Sequence, residues 1–413
     1  MAKPISKKPL KVLISAYACE PSKGSEPAIG WDWVTEIANR GHHLVVFTRL
    51  NNKNNIESFL HQKKLNLGGT IRFEYYDLPK FVLFLKKKFS LTRVYYLFWQ
   101  FFVFKRIKNI TQEEKFDFVH HLTFVSLRHF THLGKLNIPL ILGPLAGGDS
   151  SPYYLRKSIN WYFFLSEYFR DFTKFCLKFD PFFLNSLKKA KLIICATPAT
   201  KNLVPDKFLN KTKIINQISM EIPQEVNFQN TNNFRNKNIL FVGKLIDLKG
   251  MSIGLEAFSL AIKKDPKLFL TIIGTGVKEK DWKLLAKNLE IQNRIKWIPW
   301  VNQTELKKIY PKYSTLIFPS LHDSGGQVIL EAVSHGLKVI ALDIGGPGYL
   351  LNNDVAKIIE VKNSSYSKVK EEIAKGILSF SSFENKIENS FKNALNLHNK
   401  LNISAIIDKI GIY

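Results

Sequence analysis

Asp323 and Glu331 stand eight residues apart in the stretch Pro319-Ser320-Leu321-His322-Asp323-Ser324-Gly325-Gly326-Gln327-Val328-Ile329-Leu330-Glu331. Gly325 and Gly326 allow close backbone approach, and the pattern predicts a helix starting just after them. The free N–H groups and the positive dipole end of such a helix make an anion site. Glu331 lies about a turn inside it. One carboxylate on the loop and one on the helix can each accept hydrogen bonds from hydroxyls of a single ligand. The plainer alternative is that Asp323 caps the helix and Glu331 is a solvated helix residue.

Three further groups are suited to chemistry. Phe241-Val242-Gly243-Lys244-Leu245-Ile246-Asp247-Leu248-Lys249-Gly250 places Lys244 and Lys249 in one loop, where two positive charges suit a diphosphate. A solvated basic loop is the alternative. Cys19-Glu20-Pro21-Ser22-Lys23-Gly24-Ser25-Glu26-Pro27-Ala28-Ile29-Gly30-Trp31 opens the first helix, either as a ligand-facing loop or as an ordinary turn. His120 sits at a predicted strand end, where a lone histidine is either structural or catalytic, and Gly147-Gly148 after the next strand can present backbone N–H groups.

These residues need a scaffold, and the apolar runs supply one. Leu10–Ala16, His43–Thr48, Phe116–His120, Pro139–Leu142 and Lys191–Ala196 are short apolar segments between polar or glycine-rich turns, the signature of buried strands. Between the first two lies a helical pattern from about Gly30 to Asn39, closed by Arg40-Gly41. Strand, helix, strand is a βαβ unit and implies a parallel sheet with both faces covered. The pattern restarts with strands at Asn238–Gly243, Lys267–Gly274, Thr315–Phe318 and Val339–Leu342, an extended Arg294–Ile298, and helices between them. Gly274 closes the second of these strands. We expect an α/β protein of two doubly wound domains: 1–204, a linker region at 205–237, and 238–413, whose last helix packs back on the first domain. Ligands bind beyond the carboxyl ends of the strands in such sheets, and two domains leave a cleft between them.

The chain has 413 residues, 45% hydrophobic and 23% charged, which excludes low-complexity disorder, collagen and a small disulfide scaffold. No apolar run reaches the ~18–20 residues of a membrane span. Cys19, Cys176 and Cys195 form no C-x-x-C or metal-ligand spacing and fit a reducing compartment. Lys7, Lys8 and Lys11 before Val12–Cys19 imitate a signal peptide, but the apolar run is short and Glu20-Pro21 follows at once, so a buried strand is expected. The net charge of +26 calls for an anionic partner, surface or ligand.

Together these pieces resemble the retaining GT-B glycosyltransferases of family 4 (glycosyl transferases group 1). The likeness covers nearly the whole chain and is strongest at CEPSKGSEPAIGW, HHLTFVSLRH, IPLILGPLAGG, FVGKLIDLKG and HDSGGQVILEAVSHGLKVIALDIGGPG. It implies two Rossmann-like domains facing each other across a cleft. It further implies transfer of a sugar from a nucleotide-sugar donor to a glycan or lipid-linked acceptor in surface polysaccharide synthesis. By this resemblance the family pattern E-x7-E is present as Asp323-x7-Glu331. Glu331 would hold the donor ribose and Asp323 the sugar hydroxyls, with Ser324, Gly325, Gly326, Gln327 and Val328 around them. Lys244 and Lys249, beside Gly243 and Gly274, would neutralise the diphosphate. His120 would sit beside the reacting sugar, with Asp323 and Lys249 the other catalytic groups. Gly24, Ser25, Glu26 and Gly30, with Gly147 and Gly148, would line the diphosphate and acceptor side. The chain has Asp323 where the family commonly has Glu, and Lys244 where it has Arg. Asp is shorter by a methylene, and Lys lacks the bidentate fork.

No D-x-D and no metal-spaced cluster occurs, so neither a metal nor a cofactor is expected; the nucleotide-sugar is a substrate. Residues 80–108 hold eight Lys/Arg, no acidic residue and many aromatics, which suits an interfacial helix on an anionic leaflet. A second aromatic stretch, 160–178, accompanies it. The competing reading places these aromatics in the core and the lysines at its rim. We expect a cytoplasmic protein held peripherally on the inner membrane face. A nucleic-acid-binding protein, a nucleotide-sugar epimerase of the same fold and a non-catalytic scaffold are the alternatives; no nucleic-acid motif is present, and no nucleic-acid partner is expected.

Overall fold

A computed structural model describes residues 8–62, 67–89, 91–124, 126–127, 130–157, 161–222, 237–382 and 387–413. It divides into two compact units. The first takes Met1–Gly148, Thr173–Gln217 and Ile403–Tyr413; the second takes Asp149–Phe172 and Ile218–Asn402.

The first unit holds a parallel sheet of seven strands: β1 Lys11–Ala16, β2 His43–Arg49, β3 Thr70–Tyr76, β4 Phe118–Thr123, β5 Leu140–Leu145, β6 Ala190–Cys195 and β7 Thr212–Ile214, in the order β3-β2-β1-β4-β5-β6-β7. The second holds six: β8 Asn238–Val242, β9 Phe269–Ile273, β10 Ile295–Ile298, β11 Thr315–Phe318, β12 Lys338–Leu342 and β13 Ala356–Ile359, in the order β10-β9-β8-β11-β12-β13. The central strands are continuous apolar runs because helices cover both faces. Buried Phe47, Tyr96 and Trp99 fill one core; Phe241, Phe258 and Trp282 fill the other. In each sheet the strand order reverses once, between β1 and β4 and between β8 and β11. The loops leaving those strands are where a doubly wound sheet binds ligands.

The units are not cut at 204 and 238. Segment 149–172 groups with the second unit, where Tyr154 donates its hydroxyl to the Val361 carbonyl at 2.7 Å and Leu155 lies in the core. Residues 205–217 were expected in the linker but group with the first unit, because β7 pairs with β6. Of the linker region, 223–236 lie outside the described residues, as do Val125, Arg128 and His129 of the HHLTFVSLRH stretch. The segment Ile403–Tyr413 groups with the first unit, where Arg40 pairs with Asp408 at 2.8 Å.

Candidate active site

In the second unit, the loops leaving β8 and β11 are stapled together. Leu321 N–H donates to the Leu248 carbonyl at 2.9 Å. Gly250 has φ +62°, and a Cβ there would lie 2.0 Å from the Pro319 carbonyl oxygen, so only glycine lets the two loops approach. Across this junction Lys249 Nζ meets Asp323 Oδ2 at 2.7 Å and lies 5.0 Å above the Phe318 ring. Asp323 Oδ1 accepts the N–H groups of Gly325 at 3.1 Å and Gly326 at 2.8 Å. Burial pushes the Asp323 carboxyl pKa up, but the Lys249 charge and these two N–H groups outweigh it and hold it below the usual range. A third loop joins in: Gly346 N–H donates to the Asp323 carbonyl at 2.8 Å.

Gly326, at φ +80°, starts the helix Gln327–Ser334. Glu331 projects from that helix and is not a solvated residue. Gln303 Nε2 donates to its Oε1 at 2.6 Å and the Tyr310 hydroxyl to its Oε2 at 2.9 Å. Burial raises its pKa, and the Gln303 and Tyr310 donors offset part of that rise. A carboxylate has about four acceptor positions; these two donors orient it and leave capacity for a ligand diol. Ser324 donates its hydroxyl to buried Asp149 at 2.7 Å, fixing the tip of the β11 loop. Lys244 is exposed in the β8 loop. Gly243 and Gly274 extend the strand ladder at the carboxyl ends of β8 and β9, with their N–H groups 3.0 Å from the Ile273 and Ile298 carbonyls.

The sequence did not point to Gln303, Tyr310 or Asp149. Gln303 and Tyr310 lie 28 and 21 residues before Glu331. Both are ordinary helix and turn residues whose role exists only once the chain is folded. Asp149 follows Gly147-Gly148, and its adjacency to a glycine-rich turn was the one available signal.

In the first unit, the loop after β1 closes on the end of β4. Ala18 N–H donates to Thr123 Oγ1 at 3.0 Å, and Glu26 accepts the Phe124 N–H. Ser25 and Phe124 hold φ of 61° and 60°, a conformation rarely adopted by side chains of their kind. Burial raises the Glu26 pKa against the Phe124 N–H, which lowers it. Gly30 packs the first helix onto this loop: a Cβ there would lie 2.1 Å from the Ala18 carbonyl oxygen. Gly24 precedes Ser25 in the same loop. Gly147 and Gly148 follow β5, where Gly148 N–H donates to Thr200 Oγ1 at 3.2 Å.

His120 corrects the expectation that it sits beside a reacting sugar. It is completely buried in the middle of β4, a central strand covered on both faces. Its Nε2 lies 2.9 Å from the Gly143 carbonyl and its Nδ1 lies 2.8 Å from the Tyr413 hydroxyl. A carbonyl only accepts, so Nε2 carries the proton and Nδ1 accepts from the tyrosine. Burial, opposed only by the Gly143 carbonyl, drops its pKa to about 4, so the ring is neutral. With Trp33 and Tyr413 against it, His120 is a core residue.

Residues 223–394 match the family model described as "Glycosyl transferases group 1". An uncharacterized glycosyltransferase of Haemophilus influenzae is 31% identical over 189 residues, which are 45% of this chain and 50% of that protein. One from Methanocaldococcus jannaschii is 27% identical over 172 residues, 41% and 43% of the two chains. The chain thus spans about half the length of the curated relatives it matches. Among solved structures, a glycosyltransferase from Rickettsia africae aligns with a TM-score of 0.61 at 15% identity, covering 98% of this chain and 97% of that one. The lipopolysaccharide outer core galactosyltransferase WaaB aligns at 0.59 with 11% identity, covering 97% and 98%. HepE of Anabaena, in complex with UDP and glucose, aligns at 0.58 with 14% identity and the same coverage. The fold is therefore GT-B: two parallel-sheet Rossmann-like units, with the match to the glycosyl transferases group 1 model falling at residues 223–394.

Proposed function

We propose that the chain is a retaining glycosyltransferase of family 4. It would move a hexose from a nucleotide-sugar donor to a glycan or lipid-linked acceptor in surface polysaccharide synthesis. The observation that carries this reading is the Lys249–Asp323 pair, joining two loops at the switch point of the second sheet beside an oriented Glu331. The solved complex of HepE with UDP and glucose, and the galactosyltransferase activity of WaaB, support a nucleotide-sugar donor and a surface glycan product.

In this proposal Glu331 accepts the two ribose hydroxyls. Asp323 accepts from a hydroxyl of the donor sugar. Lys244, Lys249 and the N–H groups opening the helix at Gln327 and Val328 neutralise the diphosphate as charge builds on it. The bond between the anomeric carbon and the phosphate oxygen breaks, the acceptor hydroxyl oxygen bonds to that carbon on the same face, and its proton passes to the departing phosphate. Asp323 already receives an ammonium and two N–H donors, so it binds the sugar and is a poor nucleophile. No step is assigned to His120. The Glu26 loop, with Gly147 and Gly148, serves the acceptor side. The charge on the diphosphate is met by side chains and backbone without a metal, so transfer should persist in excess chelator. The same proposal keeps the enzyme at an anionic membrane surface on the cytoplasmic side, where a lipid-linked acceptor resides.

The test is a thermal-shift screen over nucleoside diphosphates and their sugars. A ligand at ~100-fold its dissociation constant should stabilise by about 2.7 kcal/mol. A labelled donor then distinguishes transfer from epimerisation by its product. No shift with any nucleoside diphosphate would overturn the reading.

A further inference from the structure

Two helices turn apolar rings outward. In Thr92–Glu113 the residues Tyr95, Tyr96, Trp99, Val103 and Ile107 are buried in the first core. The opposite side, Val94, Leu97, Phe98, Phe101 and Phe102, is exposed. The sequence allowed one apolar stripe, either core or membrane; the helix has both, on opposite faces. Trp161–Cys176 goes further and is inverted. Glu167 and Arg170 are 5% and 8% exposed and pair at 2.7 Å, while Phe169 is 66% and Phe172 56% exposed. Trp161, Tyr162, Leu165, Tyr168 and Phe175 complete that outward stripe at helical spacing. A helix in contact only with water would bury the rings and expose the charges.

The outward surface is continuous within the first unit. Phe182 packs tilted against Phe130 with centroids 5.2 Å apart, and His132 meets Phe130 at 5.1 Å and Phe101 at 5.8 Å edge to face. Ammonium groups lie over the exposed rings: Lys105 Nζ is 4.6 Å from the Phe101 centroid, and Lys88 Nζ 5.5 Å from that of Phe89. Charge selects the occupant. A second copy would bring the same lysines and a net charge of +26 against this face. Anionic headgroups complement the amines, and the rings below fit the acyl boundary. Among the described residues, no helix is long and apolar enough to cross a membrane.

We propose that each of these outward stripes beds into the headgroup–acyl boundary of a bilayer rich in anionic lipid, with Lys88 and Lys105 held at phosphate level. The proposal rests on the peripheral-membrane part of the functional reading and assigns it to named residues, including an inverted helix that composition alone left undefined. The experiment is co-sedimentation of the full chain with phosphatidylglycerol-containing and phosphatidylcholine-only vesicles. The chain should pellet with the former, and less so as salt rises. The triple variant Phe169→Ser, Phe172→Ser, Phe175→Ser should lower partitioning at least about tenfold. Phe169→Trp should partition as the unsubstituted chain does. Quenching of tryptophan emission by brominated lipid should fall in Trp161→Phe. Recovery in the supernatant with both lipids, or undiminished pelleting of the triple variant, would overturn the proposal. So would a concentration-dependent dimer that the same substitutions abolish, since the occupant would then be a second copy. Nucleotide-induced thermal shifts on the triple variant report separately on the donor reading, so the two can fail independently.

Discussion

The β11 loop and strand β4 each carry a residue that the sequence nominated for catalysis, and the fold treats them oppositely. Asp323 leaves the end of a strand and enters a loop where two N–H donors and a neighbouring lysine hold it at the sheet's ligand-binding edge. His120 stays inside its strand, buried, with both ring nitrogens occupied. Asp323 belongs to a spaced pattern whose function depends on a loop-to-helix transition, and such a pattern survives folding. A single histidine three residues before a strand end has no such context, and its neighbours across the sheet decide its fate.

That contrast can be broken at several points. The largest effect is expected from Glu331→Ala, which should abolish the thermal shift by nucleotide-sugars and lower transfer at least about a hundredfold. It also leaves the Gln303 and Tyr310 donors without their acceptor, at a cost of about 1–3 kcal/mol. Glu331→Gln separates the two effects. A carboxyl whose pKa is raised on folding contributes stability that is lost as pH rises through that pKa. The glutamine variant should therefore melt above the unsubstituted chain at neutral pH without ligand, yet bind donor poorly.

Lys249→Ala comes next. It should weaken nucleoside diphosphates about tenfold or more while changing nucleosides little, as judged by calorimetric titration. It also removes the charge that holds the Asp323 pKa down. In the unsubstituted chain this pair contributes stability above the unfolded carboxyl pKa that is lost as pH falls through the folded one, and the variant's acid melting curve should move to higher pH.

The smallest effect on transfer is expected at His120. His120→Gln should keep the turnover rate within a few-fold of the unsubstituted enzyme while lowering stability. The sign of its pH dependence is distinctive. A histidine whose pKa falls on folding to about 4 stabilises above its unfolded value near 6.5, and that contribution drains away between the two as pH falls. The difference amounts to roughly 3 kcal/mol. The glutamine variant should show a flatter melting profile across that window. A large loss of turnover with unchanged stability would instead restore His120 to the active site.

Much of the fold was legible because buried parallel strands are uninterrupted apolar runs. The three strands the sequence did not reveal, β3, β7 and β13, all lie at sheet edges. Thr70–Tyr76 alternates polar and apolar residues with Arg72 and Glu74 facing solvent, and Thr212–Ile214 is too short to produce a pattern. In the candidate site, the groups set by a single loop were readable as candidates: Asp323 with Gly325 and Gly326 in one, and Lys249 in another. The supports were not, because Gln303 and Tyr310 reach Glu331, and Tyr413 reaches His120 across 293 positions, only through the tertiary fold. The inverted helix was half legible. Its aromatic content was plain, but which face it turned outward depended on where Arg170 found Glu167 and the Asp149 carbonyl.

Titration of a panel of nucleoside diphosphates against the unsubstituted chain, Lys249→Ala and Glu331→Ala tests the central claim most directly. We expect one diphosphate to bind the unsubstituted chain, to bind Lys249→Ala at least about tenfold more weakly, and to show no binding to Glu331→Ala. Equal affinity in all three would contradict the account, because the donor would then lie away from the junction of the β8 and β11 loops.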